Sequence, residues 1–246
     1  MNRLFQKSWY LTAIAVLAFA AASFGQVTMS LTGVGDGVVV DNSNYGFGVY
    51  VDPYTATVGG VPNTPVICDD WSDNSYVGTT WTANVSNISS SGLTGSTLLF
   101  GNSLGSGPPT QQTLYQEVAY LATLLLENNG NANMQAGISF AIWNLTYPYN
   151  SNQESPSPAA FLDSSGNSGA IADYNWAMGQ LQTAINTNTL GNADSFEILT
   201  PTTPGVAQEF LVETPESSTI VMLGADLLGM LALAFVFRRR ILQPIS

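Results

Sequence analysis

The 246-residue chain has no histidine and a single cysteine, Cys68. It is almost as poor in positive charge, with five Lys and Arg against 17 Asp and Glu and a formal net charge of −12. The five bases lie at the two ends, Arg3 and Lys7 at one and Arg238, Arg239 and Arg240 at the other. Residues 8 to 237 therefore hold every acid and no base. These absences exclude whole classes of chemistry. Nucleic-acid binding needs cations that displace phosphate counterions, and this stretch has none. Ser-His-Asp and Cys-His catalysis, histidine metal centres, Schiff-base lysines and arginine phosphate clamps all lack their parts. One cysteine cannot form an internal disulfide. No Lys, Arg or His lies near it in sequence to favour a thiolate, which argues against a reactive cysteine. Charged residues make up only 9% of the chain, so its surface is solvated chiefly by neutral hydroxyls and amides. Acidity without any base predicts repulsion from anionic polymers unless divalent cations bridge the two.

The pattern is clearest at the ends. Arg3 and Lys7 precede an apolar run from Trp9 to Ala22 and then small residues, the layout of a signal peptide spanning residues 1–25 and cut by signal peptidase. At the other end, Ile220 to Phe237 is an 18-residue apolar stretch with one acid, Asp226, and Arg238–Arg240 follow at once. That length suits a transmembrane helix, and the arginines place residues 241–246 in the cytoplasm and the preceding chain outside. Pro215, Glu216, Ser217 and Ser218, the Gly- and Leu-rich helix and the arginine run together resemble a PEP-CTERM sorting signal over residues 213–240. Ser217 stands where the family has its second Pro. The resemblance implies an exported protein of an exopolysaccharide-producing Gram-negative bacterium, handed to an exosortase that cuts near Pro215–Glu216 and leaves it at the outer surface. Similar tails also carry the label of an ice-binding protein C-terminal domain, which makes ice binding an alternative, although no regularly spaced Thr is visible.

Between the ends, residues 26–212 read as one α+β domain with a β-rich N-terminal half, a helical middle and a late strand pair. The segments VTMSLTG, GVVVD, YGFGVYVD, TWTANVS and STLLFG read as strands, punctuated by Gly, Asn, Asp and Pro. Helical stripes follow at Leu114, Val118, Leu121 and Leu125, at Met134, Ile138, Ala141, Ile142 and Leu145, and at Ile171, Tyr174, Met178, Leu181 and Ile185. The stretch 149–169 is Ser-, Asn- and Pro-rich and reads as a loop. FEIL and QEFLV form the late pair, expected to rejoin the sheet.

Within this domain, VICDDWSD (66–73) and MQAGISFAIWNL (134–145) resemble the thioester domains of bacterial surface adhesins. There a strand Cys is joined to a Gln ahead of an Ala-Ile-Trp helix motif, giving an activated acyl group that captures amines. The resemblance implies a Cys68–Gln135 thioester. Ser139 occupies the family's usual Gln position, and Gln135 lies one helical turn earlier. The alternative is the same fold with Cys68 as a small apolar residue at a strand end. Asp69, Asp70 and Asp73 crowd together without a cation and are candidate Ca²⁺ ligands, or else a solvated acidic turn. A carboxylate-only hydrolase stays open because glycoside hydrolysis needs only Asp or Glu. Trp71, Trp81, Trp143 and Trp176 either stack on sugars or belong to the core. These readings lead to a non-enzymatic cell-surface protein of the exopolysaccharide matrix, biofilm or adhesion, without a cofactor. Its expected partners are the export machinery, the membrane, and an extracellular polysaccharide or surface ligand; a covalent adhesin is the main alternative.

Overall fold

The computed structural model describes residues 25–51, 53–89, 92–94, 98–100, 109–150, 153–190 and 195–214. The signal peptide, the sorting motif Pro215–Ser218, the apolar stretch 220–237 and Arg238–Arg240 lie outside the described residues. Among the described residues no helix is long and apolar enough to cross a membrane.

Nine strands are described: β1 Gln26–Gly33, β2 Val39–Asn42, β3 Phe47–Tyr50, β4 Tyr54–Val58, β5 Val61–Cys68, β6 Thr80–Ser89, β7 Gly92–Thr94, β8 Phe196–Pro201 and β9 Phe210–Glu213. Six of them run antiparallel in the order β1-β4-β5-β9-β8-β6, and β1 pairs again with β6, so the sheet closes on itself as a small barrel. β7 extends the wall beside β6. The late strand pair inserts between β5 and β6 and completes the closure.

Period-two alternation decides which residues fill the barrel. Met29 and Leu31, Ala56, Val66 and Cys68, Trp81 and Ala83, Leu199, and Phe210 and Val212 come from all six strands and meet in one buried cluster. The neighbours with opposite parity, including Ile67, Ile88, Ile198 and Leu211, face outward into a second cluster shared with the helices.

Four α-helices follow one another in chain order: α1 Gln111–Glu127, α2 Ala132–Thr146, α3 Pro158–Ser165 and α4 Ser168–Thr187. Each starts at a polar N-cap, Thr110, Asn131, Ser157 and Asn167, whose side-chain oxygen accepts from a backbone N–H in the first turn. α2 is buried continuously from Gln135 to Trp143, as expected for a helix apolar on every side. It packs so closely on α4 that a Cβ added at Gly137 would lie 2.5 Å from the Tyr174 backbone nitrogen.

The α+β reading, the β-rich first half and the three helical stripes agree with this architecture. Strands β4, β5 and β7 lie outside the segments read as strands, and two further segments differ in kind. The expected loop 149–169 contains α3, eight residues begun by Ser157 and Pro158 and ended by Gly166 in the left-handed conformation at φ 74°. STLLFG is not a strand over its described part, residues 98–100. Phe100 is buried there against the helical layer, with its ring 6.4 Å from that of Tyr115.

Candidate functional site

β5 ends at Cys68, and the alternation that orders the barrel continues into Asp69 and Asp70. Cys68 points into the barrel core. Its thiol donates to the Asp70 carbonyl at 3.2 Å, and its sulfur accepts from the Asp70 N–H at 3.4 Å. α2 is tied to this strand end from the other side of the wall. The Trp143 indole N–H donates to the Cys68 carbonyl at 3.0 Å, and the Thr146 hydroxyl donates to the Asp69 carbonyl. The two halves of the adhesin-like constellation do meet, but through Trp143. Gln135 lies eight residues earlier on α2, about 12 Å along the helix axis. Its amide donates to Asn129 Oδ1 at 2.8 Å and Asp36 Oδ2 at 3.2 Å. The structure therefore does not bring the Cys68 sulfur and the Gln135 amide together, because strand parity sends the sulfur inside the barrel while α2 packs outside it.

Asp69 and Glu209 are both completely buried. The pairing of Cys68 with Phe210 and of Leu199 with Phe210 sets Glu209 between Asp69 and Thr200 on adjacent strands. Two like charges directly opposite would repel, and no basic side chain of residues 8 to 237 can offset them. Glu209 accepts from the Leu99 N–H at 2.9 Å and from the hydroxyls of Tyr115 and Thr200. As a carboxylate, Asp69 would find no donor for either oxygen. Burial, then the charge of Glu209, then that of Asp70, pushes its carboxyl well above the usual range. Burial raises Glu209 too, while Thr200, Tyr115, Leu99 and Asp69 oppose the rise by hydrogen bonding to its ionised form. Burial therefore holds both carboxyls toward their protonated forms, and the two titrate as a pair.

Asp70 turns to the other side. Its Oδ1 accepts from the Ser72 N–H at 2.9 Å, the Asn150 amide at 3.0 Å and the Asp73 N–H at 3.4 Å. Its Oδ2 is buried without a donor. Burial is the main cause that raises this carboxyl to about 7; the charges of Asp73 and Glu209 add to it, and the Ser72 and Asp73 N–H groups oppose it.

Asp70 lines a cleft of about 430 Å³, within the range of small-molecule sites. One wall is the β2–β3 hairpin, which contributes Phe47 and Tyr50. Opposite it runs the segment from Asp70 to Val77 with Trp71, Asp73 and Tyr76, and Glu154–Pro156 closes a third side. Three of these rings are open to solvent: Phe47 is 49% exposed, Tyr50 48% and Tyr76 68%. Hydrogen bonds and ring contacts hold the scaffold beneath them. Asn42 at the end of β2 donates to the Phe161 carbonyl at 2.6 Å and the Ser164 hydroxyl at 2.8 Å, pinning the hairpin to α3. The Phe47 ring packs 5.2 Å from Phe161, and Trp71 packs against Phe161, Phe140 and Trp143. The Trp71 indole N–H donates to the Pro156 carbonyl at 2.9 Å, joining two walls.

The three aspartates of the DDxxD run therefore diverge, with Asp69 buried beside Glu209 and Asp70 and Asp73 along the cleft. Among the described residues no group of three or more His, Cys, Asp or Glu is arranged to hold a metal ion. Trp81 fills the barrel, Trp143 lies in the core, and Trp176 is exposed on α4 outside the cleft. Sequence reasoning missed Phe47, Tyr50 and Tyr76 as site residues, and Glu209 as the partner of Asp69. A signal for Glu209 existed, since an acid stood beside the apolar strand residues Phe210, Leu211 and Val212. Comparison of the chain with family models, curated proteins and solved structures finds no match.

Proposed function

We propose that the protein is a non-enzymatic, exported surface module that holds the cell to its extracellular matrix. The observation that carries this reading is the cleft, where solvent-exposed rings and carboxylates stand together without a cation. The sequence supplies the topology, with a signal peptide before the domain and an exosortase-type sorting signal with its membrane helix after it. On this reading both groups of bases serve export, and the domain meets its ligand through aromatic and hydrogen-bonding contacts. Cell fractionation with surface proteolysis tests it: the expected result is envelope-bound or surface-exposed protein lacking its first residues. A full-length soluble cytoplasmic pool overturns it.

A second reading has one observation in its favour. Asp70, raised to about 7 and set in a cleft with Asp73 and Glu154, is suited to proton donation in a carboxylate-only hydrolase. Release of reducing ends from polysaccharide by the wild type, abolished in Asp70→Asn, would establish it. No release would leave the binding module as the reading.

A further inference from the structure

The cleft carries more than its outline. Tyr50 and Tyr76 line it and are exposed although the chain has a large buried aromatic core, so they leave apolar area in water beside the cleft. Large exposed rings around a concavity mark a contact surface. The second observation is independent of the rings. Asp70 is completely buried, its Oδ1 is satisfied by three donors, and its Oδ2 has none. A buried acceptor left without a donor is costly, and a ligand that brings a donor removes that cost.

Charge and hydrogen-bonding capacity narrow the ligand. Asp70, Asp73 and Glu154 line the cleft with no Lys, Arg or His anywhere in residues 8 to 237, so uronates, sulfates and phosphates are repelled. Asn74, Ser75 and Gln208 add neutral polar groups to the same lining. Flat rings beside carboxylates and amides match a molecule with apolar C–H faces and a rim of hydroxyls. We propose that this cleft binds a short run of a neutral glycan, with the rings of Tyr50 and Tyr76 against sugar faces and Asp70 Oδ2 accepting from a sugar hydroxyl.

The inference deepens the surface-module reading by naming what the module holds. A basic protein surface is the competing occupant, since aromatic rings and carboxylates also attract ammonium groups. Neutral glycan is favoured because the Asp70 carboxyl, raised to about 7 by burial and by the charges of Asp73 and Glu209, is only partly ionised at neutral pH. A partly neutral carboxyl is a weak counter-ion but still hydrogen-bonds to hydroxyls.

The test is affinity electrophoresis of the full chain in a non-glycosidic detergent. The gels contain a neutral glucan, mannan, galactan or xylan, or, as charged controls, alginate or polylysine. The expected result is retardation by at least one neutral polymer and none by alginate. Tyr50→Ala and Tyr76→Ala each weaken the retardation roughly 2- to 10-fold, the range for a lost aromatic contact, and Asp70→Asn weakens it similarly. Trp176→Ala, which removes an exposed ring outside the cleft, leaves retardation unchanged and reports on the fold. Failure of every neutral polymer overturns the proposal, as does retardation that survives the Tyr50→Ala/Tyr76→Ala pair. Retardation by polylysine alone, lost in that pair, overturns it in favour of a basic protein partner. Because the assay uses purified protein, a surface-located chain without glycan affinity fails this proposal and spares the surface reading, while a cytoplasmic chain does the reverse.

Discussion

The buried carboxyls should invert the usual dependence of stability on pH. An acid whose folded pKa exceeds its unfolded value binds its proton more tightly when folded, so stability is complete at low pH and falls as pH rises between the two values. For Asp70 that window runs from 3.8 to about 7, because burial penalises its charged form. At 1.36 kcal/mol for each pH unit, the interval amounts to about 4 kcal/mol. That is a large share of the roughly 5–15 kcal/mol that holds a typical domain folded. Asp69 and Glu209 are raised in the same direction and steepen the fall. Urea titrations from pH 4 to pH 8 measure it as the change in extrapolated unfolding free energy. Self-repulsion among the 17 acids has the same sign, so the series should also be run near 1 M salt, where the screening length is about 3 Å. Salt suppresses the surface component and leaves the buried one. Asp70→Asn isolates the group: its amide carbonyl can still accept at the Oδ1 position, and it cannot ionise. The variant should match the wild type near pH 4 and exceed it by up to about 4 kcal/mol at pH 8. A wild type that gains stability from pH 4 to pH 8 in high salt, or an Asp70→Asn variant with an unchanged slope, would refute the reasoning.

Further predictions concern packing and bonding. Gly137→Ala places a methyl group against the α4 backbone and should cost about 1–3 kcal/mol in urea denaturation, as overpacking does. Tyr115→Phe removes a hydroxyl donor from the buried Glu209 and should cost about 1–3 kcal/mol in urea denaturation. Asn42→Ala removes two hydrogen bonds between the hairpin and α3; backbone amides of residues 39–50 should then exchange faster, while those of the barrel keep their protection. Intact mass spectrometry should find the chain at its full mass with a thiol that reacts after denaturation. A mass lower by one ammonia, shifted by methylamine, would show that a Cys68–Gln135 thioester forms after all.

Much of the helical layer was legible because a stripe at helical spacing needs only local sequence. Leu114, Val118, Leu121 and Leu125 all lie on the buried face of α1. α3 escaped notice because eight residues are too short for a period, and its true signals were its caps, Ser157 and Gly166. β5 runs through Pro62, Asn63 and Pro65, with Asn63 at φ 56°, and its exposed first half lacks the apolar alternation of a strand. Leu98-Leu99-Phe100 misled in the opposite sense, since a short apolar run marks burial and not its geometry. Closure of the barrel was illegible because β1 pairs with β6 fifty or more residues away, through alternation that either an open or a closed sheet satisfies. The cleft was hidden for the same reason. Leu31, Phe47, Asp70, Glu154 and Phe210 are neighbours only after the barrel closes and the hairpin is pinned to α3. The VICDDWSD run did mark the right place, although its cysteine turned inward and its aspartates parted.

Closure of the barrel also governs how copies of this protein can meet. A sheet edge offers unpaired backbone N–H and C=O groups to any passing strand. Here β1 and β6 occupy each other's edges, which leaves, among the described residues, three-residue β7 and the short β2–β3 hairpin as the open margins. Molecules crowded at high local density therefore have little backbone with which to template one another into fibres. Their association is left to side chains, and those are almost uniformly acidic or neutral. Net negative charge works against self-association, so any contact between copies falls to exposed apolar side chains such as Tyr50 and Tyr76.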